Sequence, residues 1–120
     1  MKNNISFGNE GEQIAEKHLI NNGYKILHKN WRFGKKEIDI VCKKDEEIIF
    51  VEVKTRTSDY FEDPKEAVTR KKQKHIIEAA NAYIEKYNIQ LEARFDIVSI
   101  VLTSKNPEIE HIEDAFNTVI

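Results

Sequence analysis

Cysteine occurs once in this chain of 120 residues, proline twice and glycine four times, and no run of about eighteen apolar residues is found. Each scarcity excludes something. Cys42 by itself forms neither an internal disulfide nor a thiolate metal cluster. Without a long apolar run there is no membrane-spanning helix, so no membrane partner is expected. The opening Met1-Lys2-Asn3-Asn4-Ile5-Ser6-Phe7-Gly8 lacks the apolar core of a secretion signal, so a cytoplasmic location is expected. His18, His28, His75 and His111 are scattered without zinc-ligand spacing. Cations are not in surplus either: 19 Lys and Arg against 21 Asp and Glu leave a net charge of −2, which argues against coating nucleic acid by charge alone. No linker, repeat or low-complexity tract divides the chain, and residues 1–120 read as one domain.

What the chain does contain is strict alternation in two neighbouring segments, Glu37-Ile38-Asp39-Ile40-Val41 and Phe50-Val51-Glu52-Val53-Lys54. As strands, the first sets Ile38, Ile40 and Cys42 on one face, with Glu37, Asp39 and Val41 on the other. The second sets Val51 and Val53 against Phe50, Glu52 and Lys54. The wholly charged Lys43-Lys44-Asp45-Glu46-Glu47 between them predicts a hairpin turning near Asp45 and Glu46. A four-residue loop from Lys44 to Glu47 keeps the same register, and an odd-length loop makes the pairing diagonal. In the symmetric register Asp39 faces Glu52 and Glu37 faces Lys54, with opposed Cβ atoms roughly 4.5 to 5.5 Å apart. Two like charges so close repel, unless a bound cation compensates them. The plainer reading is that Glu52 and Lys54 are the wet side of a half-buried strand.

The remaining elements follow from caps and periodicity. A helix is expected over residues 11–22, capped by Asn9 with Glu12 and stopped by Gly23. Glu12 lies along its buried edge, beside Gly11, Ala15 and Leu19, and reads either as a capping residue or as an acid facing the site. Residues 24–29 read as a strand, 31–34 as a turn, and 37–42 and 48–56 as the hairpin. Helix restarts at Asp63-Pro64-Lys65-Glu66 and runs to about Asn88, as one helix or as two broken near Thr69, with Tyr83 and Tyr87 as packing residues. Residues 95–102 form an apolar strand buried on both faces, 109–112 a short strand and 113–117 a turn of helix. The basic cluster Arg70, Lys71, Lys72 and Lys74, with Lys54, Arg56 and Lys65, reads as a phosphate-contacting stripe or as a solvated helix face. The order αβββαβ implies an α/β fold with a mixed central sheet flanked by helices.

That order, with an acid in the first helix, Asp39 on one strand and Glu52-Val53-Lys54 on the next, resembles the core of the PD-(D/E)-x-K nuclease superfamily, the restriction-endonuclease-like fold. Gly8-x-x-Gly11-Glu12-x-x-Ala15, Gly23-Tyr24, Asn30-x-Arg32, Glu37-Ile38-Asp39-Ile40, Phe50-Val51-Glu52-Val53-Lys54-x-Arg56, Glu66-Ala67-Val68 and Arg94-Phe95-Asp96-Ile97-Val98 narrow the resemblance to the YraN-like family of small bacterial proteins. That family is similar to archaeal Holliday junction resolvases. The resemblance implies a metal-dependent DNA endonuclease, acting on branched or damaged DNA, with Mg²⁺ or Mn²⁺ as cofactor. It makes Asp39 and Glu52 metal-binding carboxylates, the Val53 main-chain carbonyl a further ligand, Lys54 the catalytic lysine and Glu12 an additional acid. A homodimer is implied by analogy with the resolvases. The alternative is a nucleic-acid-binding or interaction module that keeps the fold without cleaving. Two positions depart from the family pattern: Lys36 stands where glycine usually precedes the Glu-Ile-Asp segment, and Glu62 replaces a common loop glycine.

Overall fold

Strands that carry apolar residues on both faces need cover on both sides, and the hydrophobic residues here divide accordingly. The computed structural model describes residues 4–57 and 63–117. Its elements in chain order are α1 (Asn4–Asn21), β1 (Lys25–Phe33), β2 (Lys36–Lys44), β3 (Glu47–Thr57), α2 (Pro64–Ala67), α3 (Arg70–Lys86), β4 (Glu92–Leu102) and β5 (Glu108–Phe116). The strands form one sheet in sequence order. β1, β2 and β3 are antiparallel neighbours, β4 runs parallel to β3, and β5 returns antiparallel to β4. The parallel pair is joined through α2 and α3, since parallel strands need a long crossover. The result is the expected mixed α/β arrangement. No helix among the described residues is long and apolar enough to cross a membrane.

On one side, Ala15 and Leu19 of α1 cover Ile40, Cys42, Ile49, Val51, Val98 and Ile100. On the other, Ile76, Ala79, Ala80 and Tyr83 of α3 cover Ile38, Val41, Ile48, Phe50, Phe95 and Ile97. Cys42 is fully buried there, and burial pushes its thiol up to about 12, so it behaves as core. Tyr83 is core and Tyr87, 40 % exposed, packs against His28, Trp31 and Tyr83, as expected.

Several boundaries differ from the sequence expectation for identifiable reasons. α1 starts at Asn4, so Asn9 lies inside the helix rather than capping it. No proline interrupts this segment, and asparagine is only mildly unfavourable within a helix. β1 continues to Phe33 instead of ending at Lys29, because Asn30 adopts φ +53° and the strand resumes with Trp31 opposite Ile38. The turn shrinks to Gly34 and Lys35, with Gly34 at φ +64°, so this glycine serves the turn two residues before Lys36. Asp45, at φ +54°, makes the β2–β3 turn, and Ile40↔Val51 through Lys44↔Glu47 keep the symmetric register. α2 is capped by Asp63, α3 separately by Thr69, so the long helical segment is two helices. Glu62 lies outside the described residues. Residues 113–116 are strand rather than helix: Asp114, at φ +53°, absorbs a register shift, and Phe116 stacks on Phe95.

One buried carboxylate ties the α1-side cluster to the sheet edge. Asp96 accepts from Arg94 Nε at 2.9 Å and Nη2 at 2.8 Å, from His111 Nε2 at 2.8 Å and from the Asp114 N–H at 3.0 Å. Arg94 also donates to the Tyr24 hydroxyl at 2.7 Å and to Glu47 at 3.0 Å. Burial by itself would raise the Asp96 carboxyl, but His111, Arg94 and the Asp114 N–H hold it below the ordinary range. α1 in turn lies against β3 so closely that a Cβ on Gly11 would collide with the Thr55 side chain.

Gly11→Ala should therefore lower the urea midpoint by the equivalent of about 1–3 kcal/mol, and Thr55→Gly should recover part of it. Asp96→Asn should cost about 3–5 kcal/mol at neutral pH by leaving Arg94 imperfectly paired. Because the folded-state pKa is depressed, that stability is present above the unfolded value and lost as pH falls through the folded one. The gap between variant and wild type should accordingly close in acid unfolding curves below the ordinary carboxylate range.

Candidate metal and phosphodiester site

Alternation fails at one point, and the acids meet there. On β2, Ile38 packs with the α3-side cluster and Ile40 with the α1-side cluster, although two residues apart on a regular strand share a face. β1 makes the same change. His28 bonds the Tyr83 hydroxyl at 2.8 Å and Trp31 packs edge-on against the Tyr83 ring, both on α3. Between them Lys29 reaches Glu16 at 3.0 Å and Asn30 reaches Glu12 at 3.1 Å, both on α1. The expectation that Ile38 shares a face with Ile40 and Cys42, with Val41 opposite, is thus corrected: Ile38 joins Val41. Asp39 stands at the changeover, within electrostatic reach of Glu12 on one helix and Glu52 beside the other.

The β2–β3 pairing stops at Ile40 with Val51. At the next step the Val53 N–H donates not to a β2 carbonyl but to Asp39 Oδ2, at 2.8 Å. Glu37, expected opposite Lys54, pairs instead with Arg32 of β1, where Nε and Oε2 lie 3.8 Å apart. Glu52 is buried, its Oε2 lying 3.7 Å from Lys72 Nζ at the start of α3. Its Oε1 has no hydrogen-bond partner among the described residues.

Burial and the Glu52 charge push Asp39 up to about 8, Glu12 adds to the rise, and the Val53 N–H and Lys72 oppose it. Glu52 is raised as well, by burial, against the pull of Lys72, Lys54 and Asp39. Two carboxylates destabilised as anions, one with an orphaned oxygen, suit a hard divalent cation that keeps waters in its remaining positions. Among the described residues no three His, Cys, Asp or Glu side chains gather closely enough to hold an ion alone. Asp39 and Glu52 are the two carboxylates that could hold such an ion, with Glu12 contributing to the field at Asp39.

The other sequence-derived residues divide. Lys54 is half-buried and its charge acts on Glu52. Glu12 does not cap its helix; its carboxylate accepts from Asn30 and contributes to the field at Asp39. Arg70, Lys71, Lys72 and Lys74 are exposed in the first turns of α3, and Lys72 reaches the site itself. Arg56 stands apart from this stripe: it is 8 % exposed and Nη2 donates to Ser99 Oγ at 3.2 Å. Sequence reasoning missed the Asn30 contact with Glu12 and the pairing of Lys72 with Glu52. Asn30 entered only as part of the Asn30-x-Arg32 motif with no role at the site, and a helix-start lysine looks the same whether solvated or docked.

The raised pKa of Asp39 fixes the sign of a pH effect. Stability carried by its neutral form is present below the unfolded value of 3.8 and lost as pH rises through about 8. Without divalent cations, Asp39→Asn should therefore melt higher than wild type at pH 9, by about 1–3 kcal/mol, and the two should converge in acid. Mn²⁺ or Mg²⁺ should raise the melting temperature of wild type and leave that of Asp39→Asn unchanged.

Comparison with known proteins places this geometry in a family. A family model described as "Uncharacterised protein family UPF0102" matches residues 11–100. The chain is similar to the UPF0102 protein of Phocaeicola vulgatus, 47 % identical over 97 % of this chain and 96 % of the relative. The UPF0102 protein of Parabacteroides distasonis is 46 % identical over 91 % of this chain and 90 % of its own length. That of Geobacter metallireducens is 46 % identical over 94 % and 93 %.

Proposed function

The chain belongs to the UPF0102 family, and we propose that it is a metal-dependent endonuclease that hydrolyses phosphodiester bonds in DNA, with a restriction-endonuclease-like core. The observation that carries this reading is the pair Asp39 and Glu52, both raised by burial and set together where β2 and β3 part, with Lys54 two residues on. A structural domain gains nothing from that arrangement, whereas perturbed carboxylates in one place mark functional sites. The likeness to Holliday junction resolvases and a dimeric assembly are part of the same proposal, as is a cytoplasmic location.

In this mechanism Asp39 and Glu52 would hold Mg²⁺ or Mn²⁺, and the Val53 carbonyl would be the further ligand. The cation supplies positive charge and Lewis acidity at the phosphate. Asp39 is oriented by the Val53 N–H, so its carboxylate is fixed before substrate arrives. Glu12, held by Asn30, aligns the attacking water from the α1 side. Lys54 places an ammonium at the phosphoryl oxygens as their charge grows in the transition state. Arg70, Lys71 and Lys74, exposed on α3 beside Lys72, meet neighbouring phosphates.

The test is incubation with linear, flap and four-way-junction DNA in Mg²⁺ or Mn²⁺. Wild type should cleave at least one, EDTA should abolish cleavage, and Lys54→Ala should lose about 10²-fold or more in rate. No cleavage of any substrate, or equal cleavage by Lys54→Ala, leaves the alternative of a binding module with the nuclease fold.

A further inference from the structure

An open groove of about 490 Å³ lies between the tip of the β1–β2 hairpin and the last turns of α3, lined by Trp31, Arg32, Phe33, Gly34, Ala82 and Lys86, with Glu85 at its side. Its volume is in the range of small-ligand sites, roughly 300–1,000 Å³. Phe33 is 48 % exposed at its mouth. Behind it Trp31 is fixed edge-on against Tyr83, with ring centroids 5.1 Å apart, and against Tyr87 at 6.4 Å. The groove thus has a rigid aromatic floor and a half-free aromatic lip.

β1 is an edge strand, and every charged residue on it is basic: Lys25, Lys29 and Arg32, all exposed. In a chain of net charge −2 this is a local positive stripe. Lys29 is engaged by Glu16, but the Arg32 side chain is 68 % exposed and its ion-pair partner Glu37 lies at 3.8 Å, beyond good hydrogen-bond length. A row of like charges along an edge opposes pairing with a second copy, and two half-exposed aromatics fall well short of the roughly 1,000 Å² that a stable interface needs. The same combination suits single-stranded nucleic acid, where cations track the backbone and aromatics stack on bases. The groove's strand β1 is the antiparallel neighbour of the strand that carries Asp39: Trp31 pairs with Ile38 and Phe33 with Lys36.

We propose that this groove receives an unpaired base of single-stranded or branched DNA. The base stacks on Phe33 above Trp31, and Arg32 and Lys86 meet the flanking phosphates. An intact duplex keeps its bases stacked inside and cannot fill the groove, so the site selects DNA with an unpaired nucleotide near the scissile bond. The proposal rests on the nucleic-acid reading above and names the structural feature of its substrate.

Trp31 is the only tryptophan, which makes the groove directly observable. In EDTA, so that no cleavage is read, an oligothymidylate should quench Trp31 emission more strongly than a hairpin duplex of equal phosphate count. Phe33→Ala should weaken oligothymidylate binding about tenfold and duplex binding little, as expected for one lost stacking contact, and Phe33→Tyr should retain wild-type affinity. Equal quenching by duplex, or unchanged single-strand affinity in Phe33→Ala, overturns the proposal. So does a dimer in sedimentation that Phe33→Ala dissociates, which would assign the groove to a second copy. A protein that passes this test and cleaves nothing keeps the groove and loses the nuclease; one that cleaves but fails it does the reverse.

Discussion

The hydrogen bond from the Val53 N–H to the Asp39 carboxylate, 2.8 Å long, stands where the antiparallel ladder of β2 and β3 would otherwise continue. A side chain has taken the place of a main-chain acceptor, and the two strands separate beyond it. Everything distinctive about the site depends on that substitution. It fixes Asp39 at the point where β2 changes face, leaves Glu52 buried in the opening, and lets Glu12 act on the pair from α1. Gly11, with no side chain to keep α1 away from Thr55, completes the approach.

Asp96 shows what a buried carboxylate looks like when a fold is built to satisfy it. It is fully buried, yet four donors converge on it and its pKa falls. Asp39 and Glu52 sit on strands adjoining the same core and move the opposite way: burial raises both, the Glu52 and Glu12 charges raise Asp39 further, and the donors present do not offset it. The partly occupying charge of Lys72, 3.7 Å from Glu52, reduces the deficit without removing it. The fold can neutralise a buried acid where that acid is structural, and at Asp39 and Glu52 it does not.

Two cations act on that deficit directly, Lys72 and Lys54. Exposed lysines and an arginine at the start of α3 stand on the Glu52 side, and the basic edge strand β1 stands on the other, ending in the aromatic groove. A strand of nucleic acid lying between them would pass the acids. Net negative charge and phosphate binding are therefore compatible, since attraction at a site depends on local potential and not on the total.

How much of this was legible beforehand can be argued residue by residue. Periodicity and turn chemistry are local properties, so the hairpin at Asp45, its register, the Asp63 cap and the doubly buried strand around Ile97 were readable from the chain. The acids Asp39 and Glu52 and the lysine after them were readable for the same reason, as spacing on neighbouring strands. Contacts between elements far apart in sequence were not. Asn30 holding Glu12, His111 on Asp96, the exchange of faces between Ile38 and Ile40, and the strand where a terminal helix was expected each depend on what another element brings alongside. Sequence alone determined that Asp39, Glu52 and Lys54 stand on two neighbouring strands, because alternation and charge are written in it. Tertiary structure decided that Asp39 and Glu52 share one low-dielectric opening with too few donors, because burial exists only once distant segments have packed.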